Sequence, residues 1–290
     1  MHARYCNAEC QRNHWATHKK QCKLRAAELH NKSLFKDPPA REDCPICFLP
    51  MPARLIYSIS LPPATISSVP IYDFAKANVE LAKEFMEKYY TCCGKTICTG
   101  CAHSCCESGN MNKCPFCNAD CGGKSEEEDN KDLMKRAEAN DAGAICQLGN
   151  CYYKGLLGLP QDLTKAMELY TKAANLGFSQ AHGSLGDIYY EGGCLKKAKF
   201  HYEAAAMAGH EEARCNLGAM EAHSGNIERA LKHLRIAASA GCYNAMNYLR
   251  LFFDQGHVSR DSIDSSLIAY NASCAEMRSE ARDVYIRYFY

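Results

Sequence analysis

The sequence predicts a mainly α protein in which a small, cysteine-rich α+β module precedes an α-solenoid of helix–turn–helix repeats. Three observations carry that expectation. Glycines 177, 209 and 241 recur every 32 residues behind alanine pairs, Cys-x-x-Cys pairs crowd the first half, and a Gly-then-acidic stretch separates the two patterns. With 290 residues the chain has room for two or three modules, because single hydrophobic cores stop growing before that length.

Bulk properties narrow the classes. Net charge is +1, so no overall basic field points to nucleic acid as a partner. No apolar run approaches the roughly 20 residues that cross a bilayer, and Met1-His2-Ala3-Arg4-Tyr5 leads into cysteines and charges instead of an apolar signal core. A reducing compartment, cytoplasm or nucleus, is therefore expected, with thiolates kept for metal instead of disulfides. Fourteen of the twenty cysteines lie between Cys6 and Cys121, largely in pairs, and fit metal ligation. The six from Cys146 onward stand singly and fit a packed core.

Residues 1–35 form a basic helical start. Cys6, Cys10, Gln11, Trp15, His18 and Cys22 stand at spacings that put Trp15, His18 and Cys22 on one helical face, with His18 and Cys22 able to reach one metal ion. This pattern resembles the second half of a MYND finger, in which Cys6 and Cys10 would complete one zinc site and His18 and Cys22 another. The four upstream cysteine partners are absent. Two readings follow: the sequence begins inside such a finger, or the four residues close a single site. Arg12, Lys19, Lys20, Lys23 and Arg25 read as a solvated basic face, and Pro38-Pro39 ends the helix.

Residues 40–121 are the cysteine module. Cys44-Pro45-Ile46-Cys47, then Cys92-Cys93-Gly94-Lys95-Thr96-Ile97-Cys98-Thr99-Gly100-Cys101, then Cys114-Pro115-Phe116-Cys117 give three Cys-x-x-Cys pairs. Two intervening residues let a tight turn aim both sulfurs at one ion. The order resembles a RING finger, which implies two zinc ions with the first and third ligand pairs sharing one. Carried over, Cys44, Cys47, Cys98 and Cys101 complete the first site. Lys95 stands where the family usually carries a histidine ligand, so Cys114 and Cys117 take Cys92 or Cys93 and the fourth partner stays open. A degenerate second site held by packing, as in U-box relatives, is the alternative. Between Cys47 and Cys92 a strand over Leu55–Ile59 and a helix over Tyr72–Lys88 are expected from apolar periodicity.

Residues 122–131, Gly-Gly-Lys-Ser followed by three glutamates and Asp129, predict an extended or mobile linker because like charges repel and nothing apolar can be buried. Residues 132–256 carry the repeats. Leu148-Gly149-x-x-Tyr152 aligns with Leu185-Gly186-x-x-Tyr189 and Leu217-Gly218, and Lys165-Ala166 with Lys197-Ala198 and Arg229-Ala230. Each unit ends Ala-Ala-x-x-Gly. Such units cannot bury their apolar stripe alone and must stack. The pattern looks like the Sel-1-like, tetratricopeptide-related repeat, which implies a protein-binding surface. Leu249-Arg250 departs from it as a terminal unit does, and residues 257–290 predict two capping helices broken near Asn271–Ala275.

Two functions follow from the resemblances. As a RING-type ubiquitin ligase or ligase-like adaptor, the module would dock a ubiquitin-conjugating enzyme through Ile46 and Pro115 while the repeats bind partner proteins, with no catalytic residue of its own. As a non-catalytic scaffold, its zinc would only fold it. Asn118 stands where active ligases often carry a cation. Thiolate-rich pairs describe closed structural zinc, which argues against a metalloenzyme.

Overall fold

The computed structural model describes residues 23–49, 51, 87–110, 112–121, 124–280 and 283. It divides into two units, residues 1–37 and 38–290. In the first, residues 23–34 form helix α1, whose side chains are mostly exposed and carry an Arg25–Glu28 ion pair at 3.0 Å. Of the expected basic face, Lys23 and Arg25 are exposed, and Arg12, Lys19 and Lys20 lie outside the described residues.

The second unit opens with the cysteine module. Strands β1 (Glu87–Tyr90) and β2 (Lys95–Cys98) pair antiparallel, with Tyr90 opposite Lys95. Gly94, at φ +69°, closes the turn between them. Helix α2 (Thr99–Cys105) follows directly. The expected strand over Leu55–Ile59 lies outside the described residues, as does most of the helix expected over Tyr72–Lys88. The last two positions of that helix, Glu87 and Lys88, instead begin β1.

The acidic segment is not extended. Helix α3 (Glu126–Glu138) starts at Ser125, whose hydroxyl accepts the Glu128 amide while the Glu128 carboxylate takes the Ser125 amide, a capping box. Self-repulsion among Glu126, Glu127, Glu128 and Asp129 is offset because first-turn carboxylates face the positive end of the helix dipole. Leu133 and Ala137 then bury one face of α3.

Helices α4 (Ala142–Lys154) and α5 (Leu163–Asn175), α6 (Ser179–Glu191) and α7 (Leu195–Met207), and α8 (Glu211–His223) and α9 (Ile227–Ser239) form three hairpins, stacked in chain order. The second helix of each hairpin ends in one device. Gly177, Gly209 and Gly241 have φ of +87°, +92° and +80°. Their amides bond Ala174, Ala206 and Ala238, while the next residue bonds Ala173, Ala205 or Ala237. This doubly bonded turn needs a left-handed residue, which explains the Ala-Ala-x-x-Gly signature.

The Leu-Gly pair has its own reason. A Cβ on Gly149 would stand 2.8 Å from the Tyr170 ring, on Gly186 2.5 Å from Tyr202, and on Gly218 2.8 Å from Leu234. Each glycine thus admits the large side chain of the second helix into the hairpin core.

Helix α10 (Tyr243–Asp254) starts a fourth unit, and α11 (Arg260–Glu276) packs on α9 and α10 as the cap. The predicted break at Asn271–Ala275 is absent: α11 runs through it to Glu276, since the segment holds neither glycine nor proline. Among the described residues no helix is long and apolar enough to cross a membrane.

Candidate metal centre

Two local turns of the same construction place the cysteines. In Cys44–Leu49 the Phe48 amide bonds the Cys44 carbonyl at 2.8 Å and the Cys44 amide bonds Leu49 at 2.9 Å. In Cys114–Ala119 the Asn118 amide bonds Cys114 at 3.0 Å and the Cys114 amide bonds Ala119 at 2.9 Å. Phe48 and Asn118, each just after the second cysteine, adopt left-handed φ of 55° and 57°. The fold of each turn aims amides at its first sulfur. Burial raises the Cys44 thiol, but amides of Cys47, Cys98 and Ile46 outweigh it and hold it down at about 7. Burial likewise opposes, and amides of Cys117 and Phe116 outweigh it at, Cys114, also held at about 7. A thiolate stabilised by backbone donors is the form that ligates zinc.

The remaining sulfurs come from the hairpin and α2. Cys98 ends β2, Cys101 lies in α2, and Cys92 and Cys93 occupy the turn after β1. Sulfurs of Cys44, Cys47, Cys98 and Cys101 all lie within 4.8 Å of one another, as do those of Cys92, Cys93, Cys114 and Cys117. Individual pairs are 4.0 Å (Cys47 and Cys98), 3.5 Å (Cys93 and Cys114) and 3.6 Å (Cys92 and Cys117). A tetrahedron with Zn–S of about 2.3 Å has sulfur–sulfur edges of about 3.8 Å, so each quartet fits one zinc ion with no position left for water.

The quartets interleave along the chain, and the second takes both adjacent cysteines, Cys92 and Cys93. Lys95, in β2, is not part of either. Cys105 and Cys106 also lie outside both quartets, and His103 faces Glu107 at 3.9 Å. Around the sulfurs, Ile97 and Tyr90 are buried, with Tyr90 edge-on to Phe116 at 6.3 Å. Cys6, Cys10, His18 and Cys22 lie outside the described residues.

Sequence reading missed two features. Cys121, beyond the last Cys-x-x-Cys pair, places its sulfur 3.8 Å from that of Cys92. The module is also joined to the first hairpin. Arg136 of α3 lies against Gly94, where any Cβ would collide with its guanidinium, and bonds Asp141 at 3.0 and 2.5 Å. Asp141 in turn caps α4 through the Ala144 amide at 3.1 Å. Tyr89 of β1 packs into the first hairpin's core and Thr91 bonds Asp129 of α3 at 3.2 Å, while Arg41 reaches the third hairpin instead, pairing with Glu211 of α8 at 3.6 Å. A cleft of about 350 Å³ at this junction is lined by Thr91, Cys92, Asp132, Lys135 and Arg136 among others.

Comparison with known proteins matches residues 142–178, 179–210 and 212–242 to the Sel1 repeat and residues 1–22 to the MYND finger. Among curated proteins, the chain is 39% identical over 67 residues to the ERAD-associated E3 ubiquitin-protein ligase component HRD3A of Arabidopsis thaliana. That match covers 23% of this chain and 10% of the relative, so it spans about a tenth of the relative's length. Similar solved structures include a Sel1 repeat protein from Oxalobacter formigenes, 26% identical with a TM-score of 0.46, covering 52% of this chain and 63% of that one. Another is a protective antigen of uropathogenic Escherichia coli displaying an SLR fold, 23% identical with a TM-score of 0.43, covering 56% and 40%.

Proposed function

We propose that this chain, whose residues 142–242 are Sel1 repeats, is an adaptor that holds one protein on its repeats beside another docked on a zinc-folded, RING-type module. The observation that carries this reading is the junction itself. Gly94, Tyr89 and Arg136 tie the module to the first hairpin, so partners on the two surfaces would be held at a set spacing. In the module, Cys44, Cys47, Cys98 and Cys101 would hold one zinc and Cys92, Cys93, Cys114 and Cys117 the other. Zinc there supplies folding free energy, not chemistry, because four thiolates leave no site for substrate.

The docked protein we assign is a ubiquitin-conjugating enzyme, met by Ile46 and Pro115. Pro115 is exposed beside the second quartet, and Phe48, 77% exposed beside the first, extends the same kind of apolar surface. The matched relative is named as a component of a ubiquitin ligase, which supports a place in such machinery. A reducing compartment, cytoplasm or nucleus, suits so many free thiols.

Ubiquitin transfer by the full chain with a panel of conjugating enzymes tests this. Low but measurable transfer is expected, abolished by Ile46→Ala with zinc content unchanged. Silence with every enzyme tried, with zinc bound and the helices intact, leaves the non-catalytic scaffold instead.

A further inference from the structure

We propose that the second cysteine site is a five-thiol site in which Cys121 and Cys92 exchange as the fourth zinc ligand. This rests on the zinc reading of Cys93, Cys114 and Cys117 given above. Residues 112–121 fold back on themselves: Lys113 bridges Asp120, and the Cys121 amide bonds the Asn112 carbonyl at 2.5 Å. The return limb thereby carries the Cys121 sulfur to 3.8 Å from that of Cys92, while Cys92 is 3.6 Å from Cys117. Cys121 thus stands beside the Cys92 corner but is not among the four sulfurs that lie within 4.8 Å of one another, so to ligate it must move in as Cys92 leaves.

Zinc takes four of five such sulfurs. One sulfur is therefore left over, and the Ala119 carbonyl, 3.5 Å from the Cys121 sulfur, gives Cys121 a partner while Cys92 ligates. Cys92 and Cys93 are consecutive, and both reach one ion only because residues 91–94 turn sharply. Cys121 approaches the same corner from a different limb, free of that constraint. Cys92 also borders the cleft at the junction, which gives its side chain room to leave.

The test uses the full chain, with zinc measured by elemental mass spectrometry and thiolate number by the charge-transfer absorption of the cobalt-substituted protein. Alanine is used so that no hydroxyl replaces the sulfur. Cys92→Ala and Cys121→Ala should each keep the wild-type zinc content and absorption, with affinity in chelator competition weakened about tenfold or less. The double variant should lose one equivalent of zinc, as Cys93→Ala should alone. Loss of that equivalent in either Cys92→Ala or Cys121→Ala alone overturns the exchange, and so does its retention in the double variant. Retention in Cys93→Ala means that Cys92 and Cys121 ligate together and also overturns the exchange, whereas absence of that equivalent from the wild type shows instead that the zinc reading of the site is wrong.

Discussion

Repeat chemistry changes in matched pairs. In the first two hairpins a lysine lies over the motif tyrosine, Lys165 over Tyr152 at 4.3 Å and Lys197 over Tyr189 at 5.0 Å, as cations over aromatic faces do. In the third, Glu221 stands at the tyrosine position and Arg229 at the lysine position, and they form an ion pair at 2.9 Å joined by Lys199 at 2.6 Å. The buried ring of the second helix shows the same pairing. Tyr170 donates to Asn150 and Tyr202 to Asp187, both at 2.7 Å, whereas Leu234 needs no acceptor and faces a unit with Ala219 there. Asp187 is the costly member. Burial lifts its carboxyl from 3.8 to about 6, only partly opposed by the Tyr202 hydroxyl. Because the folded value lies above the unfolded one, its favourable contribution is complete below about 3.8 and is lost as pH rises through about 6. Asp187→Asn copies the first hairpin. It should stabilise the chain by up to about 2 kcal/mol at pH 7, a gain that shrinks toward zero as pH falls to 4. Chemical denaturation followed by helical circular dichroism at both pH values reads this difference, and a pH-independent gain would contradict it.

Among elements, helix α3 shows how local capping decides what charge counting does not. Ser125→Ala removes the hydroxyl of the capping box and should cost about 1 kcal/mol. Amide exchange across residues 126–130 should speed up with zinc content unchanged, and unaltered exchange would mean that packing alone holds the helix. The Ser125-x-x-Glu128 signal was present in the sequence but was outweighed there by the acidic run. The repeat hairpins were legible because packing repeats every 32 residues, so Gly177, Gly209 and Gly241 announce their turns without any partner being known. The cysteine quartets were legible as pairs for a similar reason, since a tight turn needs only neighbours in sequence. Cys121 was not, because its place beside Cys92 depends on a fold-back closed by Lys113 and Asp120. The continuity of α11 was open to reading, since Asn271–Ala275 holds neither glycine nor proline, whereas its packing on α9 and α10 was not.

At the scale of the molecule, the cysteine module and the repeats are joined but stabilised differently. Within the module, Cys44, Cys98, Cys101 and Cys114 are buried around Ile97 and Tyr90, a core with few apolar side chains. Such a core needs metal to stay folded. The repeats instead bury tyrosines, leucines and alanines along a continuous stack and need none. The contact of Gly94 with Arg136 was invisible in sequence because it joins residues more than forty positions apart, and the Arg136–Asp141 pair carries it on to the first hairpin. They make α3 the element that feels both halves. Hydrogen exchange of the full chain before and after zinc chelation tests this account most directly. Protection should collapse across residues 44–49 and 87–121, fall partly in α3, and persist in α4 through α10. Equal protection of the cysteine module with and without chelator would contradict it, and so would collapse of the repeats along with the module.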